Sequence, residues 1–341
     1  MEQKVLEVFN EEILKDAVKR FGGDLESIEF VRDFENFIYE FKKGEDSYIL
    51  RLTHSSHRTE EEVMGEMEWI HYLSVKGADV CRAIYSINKA LVEKISADGS
   101  YFLASAFDKA SGKHVDEKDP EQWNEKLFET WGQVIGKMHK LTKSYDIELK
   151  CGRRIQWYEE ELLVNGDKYL SGYGNTILDR QKSLIKDISA LPMDKASYGL
   201  IHTDVHSGNF FVDNGKFIVF DFDDCQYSWF INDIAIVLFY AIGFGNNEAE
   251  ENKIAFTDKF MRCFWKGYNK ENAIDVKWIQ YIPMFLKLRE MVVFTVINKK
   301  WDMNNLSERQ EKLISKVKSD IVKDNPYVNF DFTSHYLECC K

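Results

Sequence analysis

The sequence is short of several things that whole classes of protein require. Its 341 residues include six cysteines, Cys81, Cys151, Cys225, Cys263, Cys339 and Cys340. No C-x-x-C pair is among them and their density is far below that of a stapled secreted domain, so reduced thiols are expected. There is no basic excess: 45 Lys and Arg stand against 57 Asp and Glu, a net charge of −12. That balance repels nucleic-acid backbones and anionic lipid, and no segregated basic patch offsets it, so neither is an expected partner. No uncharged apolar stretch is long enough to span a membrane. Residues Met1 to Asn10 mix Glu2, Lys4 and Glu7 among their apolar positions, which is not the core of a signal peptide. Internal repeats and low-complexity tracts are also missing. The expectation is a cytoplasmic protein whose oligomeric state is left open.

What is present is enough apolar material for a sizeable core: 44% of residues are hydrophobic and 14% aromatic. The length suits one large or two closely associated domains, and two lobes are expected. Helical spacing over residues 3–21 predicts one opening helix, stopped at Phe21-Gly22-Gly23. Short β-rich runs follow at Ile28–Val31, Asn36–Phe41 and Tyr48–Leu52. Next comes a helix over Thr59–Lys76, with Thr59 and Glu62 as a capping box. Leu91–Ile95 and Tyr101–Phe107 flank the turn Ala97-Asp98-Gly99. This gives a first lobe, residues 1–107, of about five antiparallel strands with one inserted helix. The polar stretch Asp108–Lys113 reads as a connector. Beyond it residues 108–341 are expected to be mostly helical, beginning with a helix within 121–143.

The densest chemistry lies between residues 202 and 224. His202-Thr203-Asp204-Val205-His206-Ser207-Gly208-Asn209 is bounded by apolar runs, and Phe217-Ile218-Val219-Phe220-Asp221-Phe222-Asp223-Asp224 follows the turn Asp213-Asn214-Gly215. A hairpin bringing Asp204, Asn209 and Asp221 to adjacent strand ends would supply two carboxylates and an amide oxygen. Hard oxygen donors of this kind suit Mg²⁺, which keeps substrate phosphates in its shell. Phosphoryl transfer asks the protein mainly to align a hydroxyl and to place positive charge on the phosphate oxygens. On this reading Asp204 orients the acceptor hydroxyl and takes its proton, Asn209 and Asp221 hold the metal, and His202 packs beneath the loop. Asp233 is expected to cap the helix that follows.

The pattern H-x-D-x-H-x-x-N, made by His202, Asp204, His206 and Asn209, with Asp221 at the next strand end and Asp233-Ile234-Ala235 beyond it, resembles the signature of the aminoglycoside phosphotransferase and choline kinase superfamily. Homoserine-kinase-like and stress-response-kinase-like members share it, and the resemblance implies that Asp233 also braces the catalytic loop. The resemblance implies an α+β, protein-kinase-like two-lobe fold: a small antiparallel N-lobe that binds nucleotide and a larger, mostly α-helical C-lobe. It also implies ATP and Mg²⁺ as cofactors and a small-molecule hydroxyl as acceptor, in an aminoglycoside, an amino alcohol, a homoserine-like compound or a sugar. In the first lobe, Arg51 stands where the family presents a lysine to the nucleotide phosphates, and Glu66 where that lysine's ion-pair partner is found. An arginine there is a departure, because a planar guanidinium is not an ammonium. The loop Arg32–Phe37, which would cover the nucleotide, contains no glycine.

Two other readings compete. A kinase acting on protein Ser/Thr hydroxyls is disfavoured by Asp221-Phe222-Asp223 in place of D-F-G and by the lack of A-P-E. Only a dozen positions separate Asp221 from Asp233, too few for a long activation segment. A metal-dependent hydrolase would instead use His202, Asp204 and His206 with Asp221, Asp223 and Asp224 as a metal centre.

Overall fold

Asn10 decides how the chain starts. In the computed structural model of the protein, which describes residues 3–146, 151–245 and 248–339, the expected single opening helix is two: α1 (Gln3–Val8) and α2 (Glu11–Arg20). Asn10 is extended and its side chain accepts the Ile13 N–H at 3.1 Å, so it caps a new helix. Phe9, in the break, stacks on Phe37 with centroids 3.9 Å apart. Met1, Glu2 and Cys340 lie outside the described residues; the other five cysteines are free thiols.

The chain then forms β1 (Asp24–Asp33), β2 (Phe37–Lys43), β3 (Asp46–His54), α3 (Glu60–Val75), β4 (Ala83–Ile84), β5 (Val92–Ala97) and β6 (Ser100–Asp108). Thr59 and Glu62 make the expected capping box at the start of α3. The sheet runs β1-β2-β3-β6-β4, with β5 also paired to β6, and every pairing is antiparallel. It thus has one strand more than expected. β4 is two residues long and carries no periodicity to read. Period-two alternation turns Phe37, Phe41, Leu50, Leu52, Phe102 and Ala104 into a core with Ala17 and Val18 of α2 and Phe21, which caps that helix.

The remaining elements are α4 (Glu125–Thr142), α5 (Glu161–Val164), α6 (Gly166–Leu170), α7 (Asn175–Ser189), β7 (Tyr198–Ile201), β8 (Phe210–Asp213), β9 (Lys216–Val219), β10 (Gln226–Trp229), α8 (Phe230–Ile242), α9 (Glu250–Tyr268), α10 (Ile282–Lys300), α11 (Glu308–Lys323) and α12 (Phe332–Cys339). Two compact units result, and neither is continuous in sequence. A sheet unit comprises Met1–His114, Ser144–Arg154 and Asn209–Asp223; a helical unit comprises Val115–Lys143, Ile155–Gly208 and Asp224–Lys341. Within the helical unit, α4 and α9 cross at glycines. A Cβ on Gly132 would lie 2.0 Å from the Phe264 carbonyl oxygen, and one on Gly267 would lie 1.7 Å from that of Glu129. Every residue of α8 except Tyr240 is buried. Among the described residues no helix is long and apolar enough to cross a membrane.

Candidate catalytic and phosphate-binding groups

In the sheet unit, Arg51 sits on β3 and Glu66 on α3, and their side chains meet as a bidentate pair. Nη1 donates to Oε1 and Nη2 to Oε2, both at 2.7 Å. Arg51 is 3% exposed and Glu66 fully buried, so this is no surface ion pair. Two parallel charge-assisted bonds fix the plane of the guanidinium. Burial pulls the Arg51 pKa down, but Glu66, Asp223 and Asp221 outweigh it and the net shift is upward, so Arg51 is a permanent cation. Its Nε is buried with no hydrogen-bond acceptor among the described residues.

Strands β8 and β9 pair antiparallel with Phe210 opposite Val219, and the Phe220 N–H donates to the Asn209 carbonyl at 3.0 Å. The hairpin therefore brings Asn209 and Asp221 to one end, as expected. Asp221 has a φ of 65°, a left-handed value uncommon outside glycine, asparagine and aspartate. Its Oδ2 accepts from Arg32 Nη2 at 2.5 Å. An amide oxygen and a carboxylate at one hairpin end are the donor set a magnesium ion uses, and the arginine already supplies that carboxylate with positive charge.

Asp223, two positions beyond Asp221, lies buried in the same unit. Its buried carboxylate accepts from His57 Nε2 at 2.8 Å and Arg58 Nη2 at 3.3 Å, while Arg51 Nη1 lies 3.9 Å away. Burial pushes its pKa up, and Arg58, His57 and Arg51 pull it well below the usual carboxylate value. Arg154 bonds the Asp223 carbonyl at 2.5 Å and that of Glu62 at 3.2 Å. It can do so because its segment presses on α3, where a Cβ on Gly152 would lie 2.0 Å from the Gly65 nitrogen.

In the helical unit, β7 pairs with β10, so Asp204 follows a different sheet from the one carrying Asn209 and Asp221. The expectation that one hairpin presents all three is corrected on this point. Thr203, just before it, has a φ of 66°, an outlier for a β-branched residue. The conformation is over-determined: its N–H donates to Asp233 Oδ1 at 2.9 Å and its hydroxyl to the Asp224 carbonyl at 2.7 Å. Asp233 also accepts from the His202 N–H at 3.3 Å and from His139 Nε2 at 3.1 Å. It is not the helix cap that was expected, since Trp229 holds that position and Asp233 lies within the first turn of α8.

His139 is buried, and burial holds its pKa below the ordinary histidine value against the pull of Asp233. It is therefore neutral. One tautomer satisfies both its contacts, with Nε2–H donating to Asp233 and Nδ1 accepting from the Tyr268 hydroxyl at 3.0 Å. His202 is fully buried and its Nδ1 accepts the Asp204 N–H at 3.3 Å, as a scaffold residue would.

Asp204 Oδ1 accepts from Arg289 Nη2 at 2.5 Å, and His206 Nε2 lies 3.4 Å from Oδ2. Arg289 also donates to the Tyr240 hydroxyl and stands over its ring, 5.0 Å from the centroid. Burial raises the Asp204 pKa, but the bond to His206 and the positive charge of Arg289 outweigh it, and the net shift is downward. Among the described residues no group of three His, Cys, Asp or Glu side chains is arranged to hold a metal, so the hydrolase reading of His202, Asp204 and His206 has no geometric support.

Reading the sequence did not find Arg32, His57, Arg58, Arg154 or Arg289. Each meets its aspartate from 69 to 189 positions away along the chain, and a lone Arg or His carries no local signal of such a contact.

A profile of the phosphotransferase enzyme family matches residues 27–264 of the chain. Amicoumacin kinase of Bacillus subtilis (strain 168) is 37% identical over 332 residues, 97% of either chain. The chain belongs to the phosphotransferase enzyme family. A solved structure of an amicoumacin kinase in complex with AMP-PNP, Ca²⁺ and Ami is 36% identical and superposes with a TM-score of 0.91, covering 98% of this chain and 99% of that one. A microcompartment-associated aminopropanol kinase shares the fold at 17% identity, with a TM-score of 0.71 over 96% of this chain and 98% of that one. The protein-kinase-like fold expected from the motif is thus the fold of this phosphotransferase, and its relatives are kinases of small molecules.

Proposed function

We propose that the protein transfers the γ-phosphoryl group of ATP, with Mg²⁺, to a hydroxyl of an amicoumacin-like small molecule in the cytoplasm. The observation that carries this reading is the buried bidentate Arg51–Glu66 pair in the same unit as the Asn209–Asp221 hairpin end. Arg51 would bind nucleotide phosphate, its orphan Nε adding a donor for an anionic oxygen, with Glu66 orienting it. Asn209 and Asp221 would hold Mg²⁺, with Asp221 exchanging Arg32 for the ion. When bound, the metal would supply positive charge to the phosphate oxygens. Asp204, held by Arg289 and His206, would align the acceptor hydroxyl and take its proton late, and its lowered pKa keeps it ionised and ready at neutral pH. The nucleotide role centres on residues 1–107, and the catalytic and acceptor roles on 108–341.

The test is ADP release with amicoumacin and a panel of aminoglycosides, amino alcohols, homoserine and sugars. Asp204→Asn should lose turnover by about two to four orders of magnitude while still binding Mg-ATP. Turnover like that of the wild type in this variant would remove Asp204 from the chemistry.

A further inference from the structure

One cavity in the helical unit takes no part in the chemistry above. Its volume is about 320 Å³, and its walls are the end of α8, the start of α9, α10, α11 and the stretch 325–329. Glu290 of α10 lines it and is 5% exposed. Among the described residues no hydrogen bond or ion pair reaches its carboxylate. The cavity's other charges have partners: Lys316 is 3.1 Å from Asp320, and Lys253 is 4.0 Å from Glu250. The Tyr327 hydroxyl is engaged as well, donating to the Phe239 and Gly243 carbonyls at 3.3 and 3.0 Å. One carboxyl group is left over, buried and facing open space. Such a group is destabilising unless something donates to it.

We infer that this cavity is a binding site for a small molecule carrying a primary ammonium group, which donates to the carboxylate of Glu290. The volume lies near the lower end for ligand pockets, about 300 Å³, and suits a short diamine or amino alcohol. Charge bookkeeping gives the same sign, since Glu250, Glu290 and Asp320 outnumber Lys253 and Lys316 on the walls. Burial, with Asp320 next, pushes the Glu290 pKa up to about 7 against Lys316, Lys287 and Lys253; Lys287 itself pairs with Asp324. Burial thus favours the protonated form of Glu290, and an entering ammonium draws it to the carboxylate and releases the proton.

Titration calorimetry of the full chain with 1,4-diaminobutane at pH 7, in buffers of different ionisation enthalpy, tests this without any phosphoryl transfer. It stays informative even if the kinase reading fails. Saturable binding with a net release of protons is expected, and uncharged 1,4-butanediol should not bind. Glu290→Gln should weaken binding about ten- to a hundredfold and abolish the proton release, with a melting temperature no lower than that of the wild type. The inference is overturned by the absence of saturable heat, by equal affinity in Glu290→Gln, or by binding with no proton release. The ammonium could belong to a free amine or to the phosphoryl acceptor. A raised KM for an amine-bearing acceptor in Glu290→Gln assigns it to the acceptor and an unchanged KM to a separate ligand; either result upholds the site.

Discussion

Two residues of the loop 202–209 and a histidine of α4 are tied to one buried carboxylate. Asp233 takes the main-chain N–H groups of His202 and Thr203 and the imidazole of His139, which together keep Thr203 in a conformation a β-branched residue avoids. Asp233→Ala leaves three donors unsatisfied in a dry interior and should destabilise the protein by about 3 kcal/mol or more, measured by urea denaturation. Asp204 next to it is tuned by a different residue. Arg289 favours its ionised form, so Arg289→Gln removes a positive charge and the Asp204 pKa rises. If Asp204 accepts the hydroxyl proton, the acid limb of the kcat/KM profile then moves to higher pH, and the loss of rate is larger at pH 6 than at pH 8. A drop of about one to two orders of magnitude is expected below the limb; a parallel loss at every pH would limit Arg289 to packing.

At the scale of elements, helices carry the geometry by what they leave out. The crossing of α4 and α9 exists because Gly132 and Gly267 present no Cβ to the facing backbone. Gly267→Ala must push the two helices apart and should cost about 3 kcal/mol, the upper end for overpacking, read as a fall in the denaturant midpoint. Helix α10 does something else: it presents Arg289 to Asp204 and, one residue on, Glu290 to the cavity. Glu290 has a folded pKa of about 7 against an ordinary 4.5. A raised carboxyl value stabilises the fold below the unfolded pKa, and that contribution is lost as pH rises through 7. Glu290→Gln should therefore be more stable than the wild type at pH 8, by up to roughly 3 kcal/mol, and the gap should close towards pH 4.5. Thermal melts across that range would show whether it does.

For the whole molecule, binding and stability are linked. If Asn209 and Asp221 hold the metal, Mg²⁺ with ATP should raise the melting temperature more than ATP alone, by the equivalent of about 2.7 kcal/mol at a hundredfold excess over Kd. Asp221→Asn should lose the magnesium-dependent part and keep the rest. An unchanged magnesium response in that variant would remove Asp221 from the metal site.

Much of this was legible in one dimension. The alternation of β1, β2, β3, β5 and β6, the capping box at Thr59 and Glu62, and the loop-and-hairpin spacing of Asp204, Asn209 and Asp221 are short-range patterns, and short-range patterns are what backbone sterics and hydrogen-bond geometry impose locally. The order of the elements, the family, and the candidate groups for phosphate, metal and proton were therefore determined by the sequence. Tertiary structure decided the rest. It cut the first helix at Asn10, joined residues 209–223 to the sheet unit, and enclosed Asp223 between His57 and Arg58. It also placed Arg289 on Asp204 across 85 positions of chain and left Glu290 facing a cavity without a partner. The reason is that a charge's partner and its degree of burial depend on distance in space and on the local dielectric. Neither quantity is a function of distance along the chain.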